Sequence, residues 1–112
     1  MKIEQGAIFL INFPFTSLRA HKLRPALIVS GSRFNRSQDV IVAGITTQVG
    51  TSDFVVPLEE ADLVAGVLRK KSFVKCGRLV AIEKDLLLQP VGILKGGKLQ
   101  KVLQEIKSIL EE

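Results

Sequence analysis

The densest group of residues that could bind an anion lies within residues 13–30, which read FPFTSLRAHKLRPALIVS. Pro25 disfavours the α region for the residue before it, so Arg24 is predicted to be extended at the beginning of a strand. A guanidinium held on a stiff backbone can bind a phosphate through two parallel hydrogen bonds. The preceding loop adds Arg19, His21 and Lys22, so this segment is predicted to bind the backbone of RNA or DNA.

Other residues along the chain could complete such a site, although each also has an ordinary structural interpretation. Arg24 could pair with a carboxylate and only fasten its loop to a sheet. Thr46 and Thr47 follow the apolar segment VIVAGI and could bond to backbone at a strand end. Lys75 and Arg78 could be two exposed bases on a strand. Together, cations and hydroxyls at the ends of strands favour a ligand site, because the loops there are free to meet a ligand.

Groups for acid–base or metal chemistry are scarce. His21 is the only side chain whose unperturbed pKa is near neutrality, but a loop histidine is more often exposed and idle than a proton carrier. The chain has one cysteine and one histidine, which exclude an internal disulfide and a multi-cysteine zinc site, so no metal and no cofactor are expected. Cys76 lies on an alternating strand and is predicted to face the core.

Composition limits the class of protein. The 112 residues are expected to form one domain, residues 1–112, with a net charge of +5 that supports a polyanionic or acidic partner. There are six Phe and no Trp or Tyr, which argues against folds that read single strands through several aromatic side chains. The N-terminal segment does not resemble a signal peptide and no apolar stretch could cross a bilayer, so a cytoplasmic location is expected.

The elements that must position these residues are mostly strands. Short apolar or alternating runs predict strands at residues 7–13, 26–30, 40–46, 54–58, 72–76 and 78–82. Gly77 separates the last two and suggests either a bulge or a close approach of backbone. Apolar residues at spacings of three and four predict a helix over 98–110, after Gly96 and Gly97. Five or six short strands and one docked helix favour a small, strongly curved sheet or partly closed barrel.

Several segments, in this order and spacing, resemble the MazF/PemK/Kid family of endoribonuclease toxins of type II toxin–antitoxin systems. They are GAIFLINFPFT, KLRPALIVS, FNRSQDVIVAGITT, SFVKCGRLVAIEKDLL and PVGILKGGKLQKVLQEIKSIL, which together span nearly the whole chain. The resemblance implies a mainly β fold with a C-terminal α-helix, a small SH3-like barrel of the MazF/Kid/CcdB type. It also implies a homodimer, and a cognate antitoxin whose flexible acidic segment covers the RNA groove.

The resemblance further implies metal-independent, sequence-selective cleavage of single-stranded RNA, in which the 2′-hydroxyl attacks its phosphate to leave a 2′,3′-cyclic phosphate and a 5′-hydroxyl. By motif position, Arg24 would be the main phosphate-binding and transition-state group, and Thr46 would bond a phosphate oxygen. Lys75 lies where relatives often have Arg, and His21 lies at a loop position near the scissile phosphate. The RNA-binding residues that complete the expected site are Arg19, Lys22, Thr47, Gln48 and Arg78.

Two departures from the family pattern leave alternatives open. Gly77 stands where some relatives have an Asp proposed to act as base, and the ammonium of Lys75 cannot form the bidentate contact of a guanidinium. The first alternative is therefore a catalytically weak or silent relative that only binds RNA or a partner. A gyrase poison similar to CcdB toxins ranks third, because the C-terminal helix contains no aromatic residue.

Overall fold

The computed structural model describes residues 2–12, 23–48 and 54–112, in which strands predominate. Arg19, His21 and Lys22 lie outside the described residues. The strands are β1 (Ala7–Asn12), β2 (Leu23–Ile28), β3 (Asp39–Thr46), β4 (Val55–Leu58), β5 (Leu63–Gly66), β6 (Ser72–Glu83) and β7 (Leu87–Leu94). The helices are the short α1 (Ser32–Asn35) and the C-terminal α2 (Gly96–Leu110), with 3₁₀ turns at Glu60–Asp62 and Lys84–Leu86.

Within the described ranges the strands form one antiparallel sheet in the order β4-β6-β3-β2-β1-β7-β5. The sheet curls into a half-barrel, which confirms the predicted mainly β fold with a C-terminal helix. β2 and β3 lie near its middle, so the chain segments that carry Arg24 and Thr46 are neighbours. No helix in the described part of the chain is long and apolar enough to cross a membrane.

The central strands of the curled sheet are buried on both faces, where their apolar residues form two clusters. One cluster includes Leu27, Ile45 and Cys76, together with Val102 and Ile106 of α2. Cys76 is 1% exposed, which confirms the prediction that it faces the core. The other face is lined by a second cluster, Ala7, Phe9, Ile11, Ala26, Ile28, Val40, Val42 and Ile82. The two faces of β2 and β3 are thus fixed by burial, and a register slip would expose one of them.

A buried polar pair holds the ends of β2 and β3 that lie farthest from Arg24 and Thr46. The Ser30 hydroxyl donates a short hydrogen bond to the Asn35 side-chain oxygen, and it accepts the Ile41 backbone N–H at 2.9 Å. The Asn35 amide nitrogen donates to the Ser30 carbonyl at 2.8 Å. Because both side chains are buried, these bonds cannot be replaced by water without opening the turn. They fix the register of the two strands.

The strand boundaries correct the sequence prediction at Gly77. β6 is one continuous strand rather than two, and it bends at an interruption in its pairing with β3. Ala43 pairs with Leu79, but Ile45 pairs with Val74, so four residues of β6 lie opposite one residue of β3. A Cβ added at Gly77 would meet Phe54 Cβ at 4.0 Å, an ordinary contact. A bulge and a close approach of backbone were the two predicted reasons for this glycine. The structure shows the bulge, and no close contact at Gly77 requires a glycine there.

Three further elements were absent from the prediction. β5, β7 and α1 have sequences interrupted by glycine, proline or polar residues, which weaken the apolar pattern from which strands are predicted. The described part therefore has more strands than the five or six expected. α2 begins at Gly96, two residues before the predicted start, because the two glycines form its first turn.

Candidate nucleic-acid interface

The register of β2 against β3 directs Arg24 and Thr46 to the same face of the sheet. β2 and β3 pair as Ala26 with Gly44, Leu27 with Ala43 and Ile28 with Val42. Continued by two residues, the same register puts Arg24 opposite Thr46 on one face of the sheet. A guanidinium and a hydroxyl on the same face of neighbouring strands can contact one shared anion.

The pairing of β2 with β3 ends before it reaches these two residues, and a cavity opens between the strands. Pro25 has no N–H to donate to β3, which favours the separation of the strand ends. The cavity is about 310 Å³ and is lined by Arg24, Pro25, Ile45, Thr46, Thr47, Gln48 and Ser72. Four of the predicted site residues therefore meet here: Arg24, Thr46, Thr47 and Gln48. Arg24 is exposed and extended in β2, as its position before proline predicts.

The Thr46 hydroxyl is engaged in a local turn. It accepts the Gln48 backbone N–H at 3.1 Å and donates to the Gln48 carbonyl at 3.3 Å. Such bonds to nearby backbone are the ordinary structural role that was considered for a threonine at a strand end. The donated bond is the longer of the two, so the hydroxyl can redirect its proton to an incoming oxygen while the accepted bond still holds the turn.

Lys75 and Arg78 lie on the neighbouring strand β6 but do not line this cavity. Lys75 alternates with the buried residues Val74 and Cys76, so its side chain is on the face that carries Thr46. Thr46 pairs with Phe73, and Lys75 is two residues farther along, about 7 Å. Arg78 is exposed in the bulge. The structure thus brings Lys75 to the same face as Arg24 and leaves Arg78 farther away.

Sequence reasoning missed three residues beside the cavity. Ser72 lines it, 3% exposed, with its hydroxyl donated to the Lys70 carbonyl at 3.0 Å. Phe73 pairs with Thr46, and the Lys71 ammonium lies 5.9 Å from the centre of its ring. The basic run Arg69-Lys70-Lys71 before an aromatic residue was the sequence signal that could have indicated them.

Charge distinguishes this cavity from another one in the described part of the chain. A cavity of about 540 Å³ at the opposite end of β3 is lined by Arg36, Ser37, Gln38, Glu83, Lys84 and Asp85. Its two carboxylates offset its two cations, so this lining does not favour a polyanion. Among the described residues, the lining of the Arg24 cavity contains an arginine and no carboxylate, so it is the better candidate for a phosphate chain.

The described residues offer little acid–base or metal chemistry of their own. No group of three or more His, Cys, Asp or Glu among them could hold a metal ion. Burial, with the nearby Glu105 carboxylate as a smaller cause, raises the pKa of the Cys76 thiol from 9.0 to about 11. This thiol is thus protonated and inert near neutral pH. The arrangement can bind and neutralise a phosphate through Arg24, and bond it through the Thr46 hydroxyl.

Comparisons with known proteins agree with the fold. The profile of the family described as PemK-like, MazF-like toxin of type II toxin–antitoxin system matches residues 4–110. An endoribonuclease bound to its cognate antitoxin, from a mycobacterial species, has a TM-score of 0.77 at 21% identity, over 97% of this chain and 95% of that one. Curated protein sequences give no match.

Two further solved structures are similar over nearly their whole length. The toxin MazF-mt6 of Mycobacterium tuberculosis has a TM-score of 0.73 at 25% identity, over 93% of this chain and 95% of that one. A MazE–MazF complex of Deinococcus radiodurans has a TM-score of 0.74 at 19% identity, over 96% of this chain and 94% of that one. Because the family profile matches almost every residue, the chain belongs to the PemK-like, MazF-like toxins of type II toxin–antitoxin systems.

Proposed function

We propose that this toxin is an endoribonuclease that cleaves single-stranded RNA at the cavity between β2 and β3. The observation that carries the proposal is the juxtaposition of Arg24 and Thr46 across the separated strand ends, in a cavity whose lining, in the described part of the chain, includes no carboxylate. Family membership supports the same activity, and two of the similar structures are endoribonucleases by name. A cytoplasmic location, where RNA substrates are plentiful, remains a prediction.

The reaction we propose needs no metal. The ribose 2′-oxygen attacks the adjacent phosphorus, and its proton passes to a base. The bond from phosphorus to the 5′-oxygen breaks, and that oxygen takes a proton, which leaves a 2′,3′-cyclic phosphate and a 5′-hydroxyl. Arg24 would neutralise the charge that grows on the phosphate oxygens, an effect that is strong where it is preorganised. The Thr46 hydroxyl would donate to one of these oxygens in exchange for its 3.3 Å bond to the Gln48 carbonyl.

The remaining predicted residues have supporting roles. Lys75 would supply a second cation from the same sheet face, and Thr47 and Gln48 would contact the strand from the cavity wall. Arg78, in the bulge, would bind phosphate farther along the strand. Arg19 and Lys22 keep their expected RNA-binding role and His21 its expected acid–base role as predictions.

We also propose two protein partners. A cognate antitoxin with an acidic flexible segment would bind across the same cations, since this requires only a second polyanion of suitable shape. One similar structure contains an endoribonuclease with its cognate antitoxin. A homodimer is the second proposed partner arrangement, and the molar mass measured by light scattering would test it.

Cleavage of a long single-stranded RNA in EDTA is the decisive experiment, with three proteins run in parallel. Wild type is expected to give fragments that end in a cyclic phosphate. Arg24→Ala is expected to lose cleavage by at least about a hundredfold and to keep its fold, because Arg24 is exposed and outside the core. Arg33→Ala is the matched control: it removes one exposed arginine from α1, at the other end of β3, and is expected to cleave normally.

The outcomes separate the proposal from its alternative. Equal cleavage by wild type and Arg24→Ala would refute the central role of Arg24. A folded wild type that binds the RNA and produces no fragments would favour the silent relative, for which Gly77 is the specific indication.

A further inference from the structure

The surface of β6 next to the cavity carries one aromatic ring between two lysines. Phe73 pairs with Thr46 on one side and with Pro57 of β4 on the other. Lys75, two residues after it, shares its face of the strand, and Lys71 lies two residues before it, just outside β6. The ring is partly exposed, and the Lys71 ammonium lies 5.9 Å from its centre.

The position of this ring relative to Thr46 matches that of a base relative to its phosphate. Opposed residues on adjacent strands lie about 5 Å apart, so Phe73 is beside the hydroxyl proposed to bond a phosphate oxygen. A base is attached to its phosphate through one sugar, and it can therefore reach a ring on the neighbouring strand. The exposed Pro57 continues this surface away from the cavity.

The chemistry of the ring is suited to an unpaired base. Every base has a π-face that stacks on an aromatic side chain, whatever its hydrogen-bonding edge. The contact with Lys71 shows that a cation can reach one face of the ring from solvent. Because Lys71 is exposed, a base can replace its ammonium over the ring at little cost. The ammonium is then free to pair with the phosphate attached to that base.

We propose that Phe73 is the stacking platform for one unpaired base of the bound strand, next to the phosphate held by Arg24 and Thr46. This inference rests on the proposed function and adds a base subsite to it. A single platform agrees with a chain that has few aromatic residues and lacks the several rings of sheets that read a series of bases. Lys71 and Lys75 hold the phosphates on either side of the stacked base.

Binding of two probes tests the platform. The first probe is 2′-O-methyl oligouridine, which has bases but cannot be cut because its 2′-oxygen is blocked. The second is inorganic polyphosphate, which has charge and no bases. Phe73→Leu is expected to weaken oligouridine binding about fivefold or more and to leave polyphosphate binding unchanged. Phe73→Tyr, which keeps a ring, is expected to bind both probes as wild type does.

Phe34→Leu is the matched control. Phe34 is a partly exposed phenylalanine on α1, at the end of β3 opposite Thr46, and its replacement is expected to change neither affinity. Unchanged oligouridine binding by Phe73→Leu, in a protein that still cleaves RNA, would overturn the platform alone. An equal loss of affinity for both probes would also overturn it, because the ring would then be needed for the fold and not for contact with a base. No oligouridine binding by wild type would overturn the platform, whereas the proposed function is overturned only by the cleavage experiment in EDTA.

Discussion

Pro25, where β2 enters the core, helps to determine the positions of Arg24 and Thr46. Pro25 pairs with Leu10 of β1 on one side, and on the other side the ladder with β3 ends one residue later, at Ala26. A residue that could donate its N–H toward β3 would favour a longer ladder and a smaller cavity. The proline thus keeps the arginine in an extended strand and also leaves space beside it.

Gly77 allows a direct residue-scale test of the missing base. The added Cβ would be 4.0 Å from Phe54 Cβ, and the glycine does not have a positive φ, so a side chain is tolerated. We expect Gly77→Asp to fold normally and to cleave RNA faster than wild type, approaching the hundredfold that a well-placed base contributes. Initial cleavage rates would measure this.

Gly77→Asn is the control for this substitution, because it has nearly the same shape and no basic carboxylate. A rate increase in both variants would show that the side chain acts by shape. No increase with Gly77→Asp would mean that the base lies elsewhere, and His21 would then be the next candidate to replace.

Cys76 predicts a specific dependence of stability on alkaline pH. Its pKa is raised to about 11 by burial, whereas the unfolded thiol ionises near 9.0. A raised pKa in the folded state means that its contribution is complete below pH 9 and is lost as the pH rises through 11. We expect the free energy of unfolding of wild type to fall relative to that of Cys76→Ala as the pH rises from 9.0 to about 11. Urea unfolding from pH 7 to 11 would measure it, and parallel curves would contradict it.

Sequence reasoning identified the charged and hydroxyl groups of the cavity but not its aromatic neighbour. Arg24 and Thr46 could be predicted because proline and the end of an apolar run restrict local backbone. Phe73 could not, since its place beside Thr46 depends on the register of β6 against β3, which shifts at the bulge. That register is set by distant residues and has no local sequence signal.

At the scale of elements, the edge strand β5 depends on a close approach of two glycines. Gly66 pairs with Gly92 of β7 and has a φ of +100°. A Cβ on Gly66 would lie 2.2 Å from the Val91 carbonyl oxygen, and one on Gly92 would lie 2.8 Å from the Ala65 carbonyl oxygen. Glycine is therefore required at both positions by contact with backbone, which cannot move aside as a side chain can.

We expect Gly66→Ala to lower the free energy of unfolding by about 2 kcal/mol or more, because it adds backbone strain to the clash. Gly97→Ala is the contrasting variant. It lies in the first turn of α2 with no atom within 4 Å of the added Cβ, and it should stabilise by up to about 1 kcal/mol. Denaturant unfolding would measure both, and a neutral Gly66→Ala would contradict the pairing of β5 with β7.

The elements were predicted best where the chain is apolar without interruption. The predicted strand at 40–46 is close to the observed Asp39–Thr46, because its burial on both faces leaves an apolar run. β7 contains Pro90 and Gly92 and lacks such a run. Its strand conformation depends on pairing with β1 and β5. The local sequence pattern does not reveal pairing between segments that are far apart in the chain.

At the scale of the whole molecule, several cations lie near the proposed site. A run of three bases precedes β6, and Lys75 follows within it on the face of the sheet that carries Thr46. Toward the opposite end of β3, the carboxylates of Glu83 and Asp85 lie together with the cations of Arg36 and Lys84. The surplus of cations near Arg24 would direct a polyanion to the cavity between β2 and β3.

RNA and an acidic antitoxin segment should therefore compete and share one salt dependence. We expect uncleavable RNA to bind more weakly as salt rises, with a slope of about −0.7 per phosphate neutralised. Arg24→Ala should make the slope less steep by about 0.7, the contribution of one phosphate contact, whereas Arg33→Ala should leave it unchanged. An acidic peptide should displace the RNA. A flat salt response, or RNA and peptide bound together, would contradict a shared polyanion groove.

The position of β1 in the sheet also affects when, during synthesis, the toxin can become active. β1 is made first among the strands, yet one of its two neighbours is β7, and the Leu94 N–H donates to the Gly6 carbonyl at 3.0 Å. α2 then covers the core cluster from residues made later still. A nascent chain that already contains Arg24, Thr46 and Phe73 therefore still lacks the sheet that holds them together. The sheet that holds the proposed site together is thus not assembled until β7 and α2 have also been translated.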